Sequence, residues 1–332
     1  MKMQDLFPKA RKTGPIIVIG ELLIDFIPSG TGMRLDEPGP VIKTVSGSSG
    51  IYACAAAAMH VPCSIICKLG EDPFSRMSRT AMEQQGVSTD LVSCDPSGKL
   101  GLAFVEYTES GRNYAYYRSD SVGSRLSPAD IPAEAVAGAQ LVHLPGMLLE
   151  LNANMRDACF SAVELAKAAG VTVSFDPNLR KELGANPDAR ARLERMLSLS
   201  DIIEPTLEEA RIITGRQAIP DVLAALHAMG PRVVVLTRDK DGALMSAGGQ
   251  VYEAPGIDVE VLDTTGAGDT FAGVLGACYV RNETLQTALR YANCAATLEC
   301  TRRGAIGAAI PSLQEVVSLM QEQGFLPVQY LN

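Results

Sequence analysis

Short β-rich runs alternate with helical patterns along most of the 332 residues, and this rhythm leaves few folds open. Apolar runs at 16–20, continuing through 21–27, and at 64–69, 140–144, 171–175, 201–204 and 232–237 read as strands. Helical patterns occupy 51–59, 74–85, 152–169, 190–199, 206–214 and 221–229, and the tail adds 285–297 and 313–323. Continuous apolar strands joined through helices belong to parallel sheets buried on both faces. The pattern therefore predicts an α/β fold with a mostly parallel central sheet between helical layers. The length allows one such domain with an appendage, expected over 14–325.

One region departs from the rhythm. Residues 101–108 and 112–118 alternate in strand fashion around Glu109-Ser110-Gly111, a hairpin signal. With the segment from about 27 to 45 they predict a small β-sheet projecting from the main body. A sheet contributed by about 27–45 and 99–120 is placed to act as a lid.

Composition narrows the partners. Apolar residues make up 47% and charged residues 20%, enough for a sizeable core. A net charge of −9 and a pI near 5.0 argue against nucleic acid, which needs a basic face to displace counterions. Residues 1–14 are polar and basic without a secretory apolar core, and no apolar stretch is long enough to span a bilayer. A cytoplasmic protein without membrane partners is expected. The eight cysteines are scattered, and no second pair or nearby His completes a zinc set around Cys63 and Cys67. They read as reduced, buried thiols.

The chemistry is concentrated in 259–273, Val-Glu-Val-Leu-Asp-Thr-Thr-Gly-Ala-Gly-Asp-Thr-Phe-Ala-Gly, which reads as a strand, a turn of small residues and a helix starting near Asp269. The backbone amides of Gly266, Ala267 and Gly268 can approach a ligand closely at a helix N-terminus, where unpaired N–H groups and the dipole favour an anion. Asp269 in the first turn can accept the proton of a hydroxyl presented to a transferring phosphoryl group. A bare turn with an Asp cap is the competing reading. The string is neither a P-loop nor a GxGxxG fingerprint.

This string resembles the C-terminal signature of the PfkB/ribokinase family of carbohydrate kinases, and the resemblance runs through nearly the whole chain. Gly20-Glu-Leu-Leu-Ile-Asp25-Phe-Ile-Pro is similar to the opening of bacterial fructokinases. Lys68-Leu-Gly-Glu-Asp72-Pro-Phe resembles a further family segment. Tyr116-Tyr-Arg118-Ser-Asp-Ser-Val-Gly-Ser looks like a substrate loop of 2-keto-3-deoxygluconate kinases. Phe175-Asp-Pro-Asn178-Leu-Arg180 resembles a motif of both groups, and Tyr291-Ala-Asn293-Cys-Ala-Ala and Thr301-Arg-Arg-Gly304-Ala resemble the adenine-side helix and cation loop.

The resemblance implies a ribokinase-like fold, a Rossmann-like sheet with a β lid, acting on a sugar or sugar acid with ATP and Mg²⁺. It implies sugar contacts from Asp25, Gly47, Ser48, Ile51, Tyr116, Arg118, Asn178 and Arg180. Nucleotide contacts would come from Thr206, Thr237, Asp239, Gly242, Gly266, Gly268 and Asn293. Glu209 would hold Mg²⁺ through water, consistent with magnesium's reluctance to dehydrate. Asp263 and carbonyls near Thr265, Glu299, Arg302 and Gly304 would form a potassium-type site. A homodimer through the lid is also implied, and an exposed sheet edge seeks a partner on its own account.

Four positions depart from the family pattern. Ile51 replaces the sugar-binding Asn and can neither donate nor accept a hydrogen bond. Thr206 replaces the Asn of N-x-x-E, Asp239 replaces a glycine of the nucleotide loop, and Ser46 replaces another glycine. Asp25 and the opening run favour a ketohexose, whereas Tyr116, Arg118 and Arg180 favour a 2-keto-3-deoxy sugar acid whose carboxylate would pair with arginine. A nucleoside kinase and a non-catalytic sugar or nucleotide sensor on the same fold remain as alternatives.

Overall fold

Ile16–Ile19 (β1) is buried along its whole length, and its side chains alternate between two cores: Ile16 and Val18 face one, Ile17 and Ile19 the other. The computed structural model describes residues 1–10, 13–28, 34–108, 111–179 and 187–325, and only the backbone of 107, 108, 111 and 112. After β1 come Leu23–Pro28 (β2), Val41–Ser46 (β3), Ser48–Ala58 (α1), Cys63–Ile66 (β4), Lys68–Leu69 (β5) and Pro73–Gln84 (α2). Ser93–Cys94 (β6), Gly101–Thr108 (β7), Gly111–Tyr117 (β8), Ala133–Gly138 (α3), Leu141–Pro145 (β9) and Ala153–Ala168 (α4) follow. Thr172–Asp176 (β10), Pro187–Leu199 (α5), Ile202–Ile203 (β11), Leu207–Thr214 (α6), Ile219–Ala228 (α7) and Val233–Thr237 (β12) continue the alternation. The chain ends with Ala243–Ala247 (β13), Gln250–Ala254 (β14), Ala267–Val280 (α8), Leu285–Cys300 (α9) and Leu313–Glu322 (α10).

The main sheet has the order β14-β13-β12-β11-β10-β9-β1-β4. From β4 to β12 the pairs are parallel, and β13 and β14 add an antiparallel edge. The chain moves from β1 to β4 on one side and later returns to β9 on the other. The strand order thus reverses beside β1, and ligands of open α/β sheets bind at such a reversal, outside the carboxyl ends of the strands. A second sheet, β3-β2-β7-β8, stands apart from the first, as the hairpin signal led us to expect. The hairpin turn at 109–110 and the 29–33 part of the expected lid segment lie outside the described residues.

Three expectations are corrected. The run 16–27 is two strands: the chain breaks at Gly20–Leu22, and β2 joins the small sheet, so Asp25 stands on that sheet. Lys68–Leu69 also leaves the main sheet, pairing with Ser93–Cys94. The 259–263 segment is a loop with Val261 and Leu262 exposed, and the amides of Leu262 and Asp263 bond the Cys300 carbonyl at the end of α9 instead of a strand. All cysteines are free; Cys63 and Cys67 are buried, and burial raises both thiols, Cys67 to about 12.

Small residues let α8 approach α1 closely. A Cβ added at Gly273 would lie 2.4 Å from the Tyr52 carbonyl oxygen, and one at Gly276 would lie 2.0 Å from the Tyr52 hydroxyl. The far end of α8 is held by a 3-10 turn at Met3–Leu6: Gln4 Nε2 donates to the carbonyls of Tyr279 and Val280. The packing fixes the direction in which the first turn of α8 points.

Candidate active site

Two helix N-termini converge beyond the sheet. At α8 the N-cap is Gly266, left-handed at φ +81, where an added Cβ would lie 2.7 Å from Glu299 Oε1 and 3.0 Å from Ile51 Cδ1. Only glycine meets both demands without strain. Helix α8 begins at Ala267, two residues before the expected start near Asp269, and nothing lies within 4 Å of a Cβ built on Gly268. The first-turn amides have no intrahelical acceptors; that of Ala267 makes only a long 3.4 Å bond to the Thr264 carbonyl. At α1 the N-cap is Gly47, φ +112, packed onto the Glu21 carbonyl. Ser48, the first residue of α1, donates its hydroxyl proton to Asp269 Oδ1.

The ends of β10 and β11 bring further carboxylates to the same place. Asp176 is nearly buried, and burial, Glu209, Asp269 and Glu204 hold its carboxyl well above the usual range. Asn178 adopts φ +40, with its amide donating to Asp176 Oδ1 at 3.0 Å. Glu209 closes a capping box on α6: Thr206 N donates to Oε2 at 2.8 Å and the Glu209 amide donates to Thr206 Oγ1 at 3.1 Å. Glu209 Oε1 accepts from Leu179 N at 2.6 Å. The replacement of Asn by Thr at 206 thus keeps the cap.

The residues expected to contact the sugar lie on the small sheet, on α1 and just beyond β10. Asp25 is buried on β2. Arg118 follows β8; its guanidinium lies 4.4 Å from the Tyr116 ring centre and donates to Glu21 Oε1 at 2.5 Å. Glu21 is 4% exposed; burial raises its carboxyl and Arg118 opposes the rise. Sequence reasoning assigned Arg118 to a ligand and passed over Glu21, although Glu21 stands just before β2 and Arg118 just after β8, where the chain enters and leaves the small sheet. Ile51 is also buried, beneath Gly266. Arg180 lies outside the described residues.

The Glu21–Arg118 pair carries a stability prediction. Arg118→Ala leaves a carboxyl buried without its partner, and a loss of about 3–5 kcal/mol in denaturant unfolding is expected. Adding Glu21→Gln should recover part of it; a fully additive double mutant would contradict the coupling.

Of the residues expected at the nucleotide, Thr206, the cap of α6, and Thr237, the last residue of β12, form an isolated parallel bridge. Asp239 sits at φ +50, the conformation a glycine would supply, and its side chain is exposed. Asp is among the side chains that tolerate this region, which accounts for the departure. Gly242 packs 2.2 Å, by its absent Cβ, from the Ala254 carbonyl, and Asn293 Nδ2 donates to the Pro255 carbonyl at 2.9 Å.

The loop before α8 lies against the end of α9. The amides of Leu262 and Asp263 donate to the Cys300 carbonyl, and Asp263 Oδ1 accepts from Thr265 N and Oγ1. Glu299 is 1% exposed, and neither of its oxygens has a hydrogen-bond partner among the described residues. Burial raises its carboxyl far above the usual range; Asp269 and Asp263 add to the rise, while Thr270 and Arg302 oppose it. The Arg302 side chain turns away to Glu315, and Gly304 stands at φ +102 in the adjoining loop. No group of three metal-ligating side chains is formed among the described residues.

The eight-stranded α/β body with its separate four-stranded sheet is the architecture of ribokinase-like kinases. The chain belongs to the pfkB family of carbohydrate kinases, whose pattern it matches over residues 15–313. Fructokinase-1 of Oryza sativa subsp. japonica is 30% identical over 316 residues, 92% of this chain and 97% of that protein. A putative ribokinase II from E. coli, solved with ATP and Mg²⁺, is 29% identical with a TM-score of 0.87 over 93% of this chain and 100% of its own. A fructokinase from Vibrio cholerae O395, solved with fructose, ADP and calcium, is 26% identical with a TM-score of 0.80 over 93% of this chain and 99% of its own. The protein is therefore a sugar kinase with the ribokinase-like fold. No described helix is long and apolar enough to cross a membrane.

Proposed function

We propose that the protein transfers the γ-phosphoryl group of ATP to a primary hydroxyl of a neutral ketohexose, with fructose as the reference substrate. The observation that carries this reading is the pairing of Ser48 with Asp269 where two glycine-opened helix N-termini meet. Asp269 accepts the proton of the attacking hydroxyl, and Ser48 holds the carboxylate in place. The amides of Gly266–Asp269 stabilise the charge that develops during transfer. The open space over Gly268 fits a phosphate group. Bound ATP supplies the phosphoryl group, and Mg²⁺ neutralises its oxygens.

Glu209, fully hydrogen-bonded through both oxygens, suits a water-mediated contact with that Mg²⁺. The unpartnered Glu299 carboxyl beside Asp263 suits a potassium-type cation. Asp25 binds sugar hydroxyls from the small sheet, which acts as the lid and as a homodimer surface, with Val41, Ile42 and Tyr117 exposed on it. Thr237, Asp239, Gly242 and Asn293 line the nucleotide.

The Glu21–Arg118 pair favours a neutral sugar over a sugar acid, since the arginine is already neutralised by a buried carboxylate. ATP consumption with Mg²⁺ and K⁺ is the test, across fructose, tagatose, ribose, 2-keto-3-deoxygluconate and nucleosides. Turnover strongest on a ketohexose is expected. Turnover confined to sugar acids or nucleosides would overturn the substrate reading, and binding without turnover would favour a sensor.

A further inference from the structure

Beneath the site, a row of buried polar side chains crosses three neighbouring strands inside an otherwise apolar core. His143 on β9, Ser174 on β10 and Glu204 just beyond β11 share the face of the sheet that packs under α1 and α8. Ser174 Oγ lies 2.9 Å from both His143 Nδ1 and Glu204 Oε1. The His143 ring stacks on Tyr52 of α1, with ring centres 3.7 Å apart. Glu204 is 6% exposed, and its Oε2 has no hydrogen-bond partner among the described residues. Apolar side chains would fill this space at lower cost, so a buried acid here calls for an explanation.

Strand geometry relates the row to the chemistry. Side chains two residues apart on a strand share a face, so Ser174 stands directly behind Asp176. Asp176 interacts with Glu209 and Asp269 in front and with Glu204 behind. We propose that Glu204 is a positioning residue of the nucleotide site, its buried carboxyl acting through Asp176 to set how tightly the phosphates of ATP are held. The proposal rests on the kinase reading and adds to it a residue that touches neither substrate.

The groups facing Glu204 are Ser174 and Asp176 from β10, His143 from β9 and Tyr52 from α1, with the Cys63 thiol of β4 within electrostatic reach of Tyr52. No cation is among them. Burial pushes Glu204 up to about 8, with the Ser174 hydroxyl opposing the rise, and pushes His143 down to about 3. Ser174 Oγ donates its one proton to Glu204 Oε1, which leaves Ser174 as the acceptor from the Nδ1–H of His143. As pH rises through about 8 the Glu204 carboxyl loses its proton, and the bond that it accepts from Ser174 becomes charge-assisted. The ionised form adds one negative charge behind Asp176, opposing the triphosphate.

The test is MgATP affinity by calorimetry between pH 7 and 9, without sugar. Phosphate ionisation is largely complete across this range. The wild type should weaken about three- to tenfold as pH rises, and Glu204→Gln should abolish most of that change. Ser174→Ala, which removes the hydroxyl that donates to the Glu204 carboxyl, should move the weakening to higher pH. The ¹⁵N shifts of His143, whose Nδ1–H donates to Ser174, should move through this pH range in the wild type and stay fixed in Glu204→Gln, a signal that a purely structural residue would not give. An identical pH dependence in both proteins, or a His143 ring that does not respond, overturns the proposal. If the wild type binds no MgATP at any pH, the kinase reading fails and the proposal with it; if Glu204→Gln does not fold, Ser174→Ala and the wild-type His143 titration decide.

Discussion

Asp269→Asn should lower turnover about 10³-fold while sugar affinity stays within about twofold of the wild type. The asparagine preserves the shape of the first turn of α8 and can still accept from Ser48, whose hydroxyl meets Asp269 Oδ1. It cannot take a proton, and a positioned general base contributes about 10²–10⁴ to such a reaction. Steady-state kinetics together with sugar binding by calorimetry would separate the two effects. Near-normal turnover would remove Asp269 from the base role. Parallel loss of binding and turnover would instead make it a binding group.

The second large effect is on stability. Gly276→Ala should destabilise the protein by about 3 kcal/mol, because its Cβ would fall 2.0 Å from the Tyr52 hydroxyl, and overpacked cores lose stability on this scale. Tyr52→Phe alone should be nearly neutral, since that hydroxyl has no hydrogen-bond partner among the described residues. The double variant should recover most of the loss, as the next atom, Tyr52 Cζ, is 3.0 Å away. Chemical denaturation of the four proteins closes the cycle. Strict additivity would mean that α8 and α1 do not meet through this pair.

The residues that make elements were legible in the sequence where local pattern and tertiary environment agree. Strands such as 140–144 and 232–237 are apolar throughout because both sheet faces are covered. The string around Gly266–Asp269 was legible for a different reason, since small residues before a helix have few purposes other than close approach. The break at Gly20–Leu22 was not legible, because Glu21-Leu-Leu-Ile-Asp25-Phe-Ile continues the alternation of a strand. It is set by contacts far along the chain: Ser49 fills the space a Gly20 side chain would need, and Gly47 packs on the Glu21 carbonyl. The edge hairpin β13–β14 carried a turn signal at Gly248-Gly249 that pattern reading could have used.

The polar row was hidden for a physical reason. His143, Ser174 and Glu204 are separated by about thirty residues each, and only the parallel register sets them side by side. Glu21 was hidden in the same way, as its partner Arg118 lies 97 residues on. Such pairings leave no local spacing to read. The candidate site was therefore visible as a set of motifs, while the groups that tune it were visible only in the fold.

The attachment of Met3–Leu6 to the far end of α8 also has a bearing on synthesis. Gln4 finds its acceptors at Tyr279 and Val280, and the Met1 carbonyl accepts from the Leu285 amide. A ribosome adding roughly 5–20 residues per second delivers those partners on the order of fifteen seconds to a minute after the first turn emerges. Until then Met3 and Phe7, both buried in the finished protein, face solvent or a chaperone. The seam can close only after Tyr279 and Val280 have been made, and until then the helix bearing Asp269 lacks this anchor.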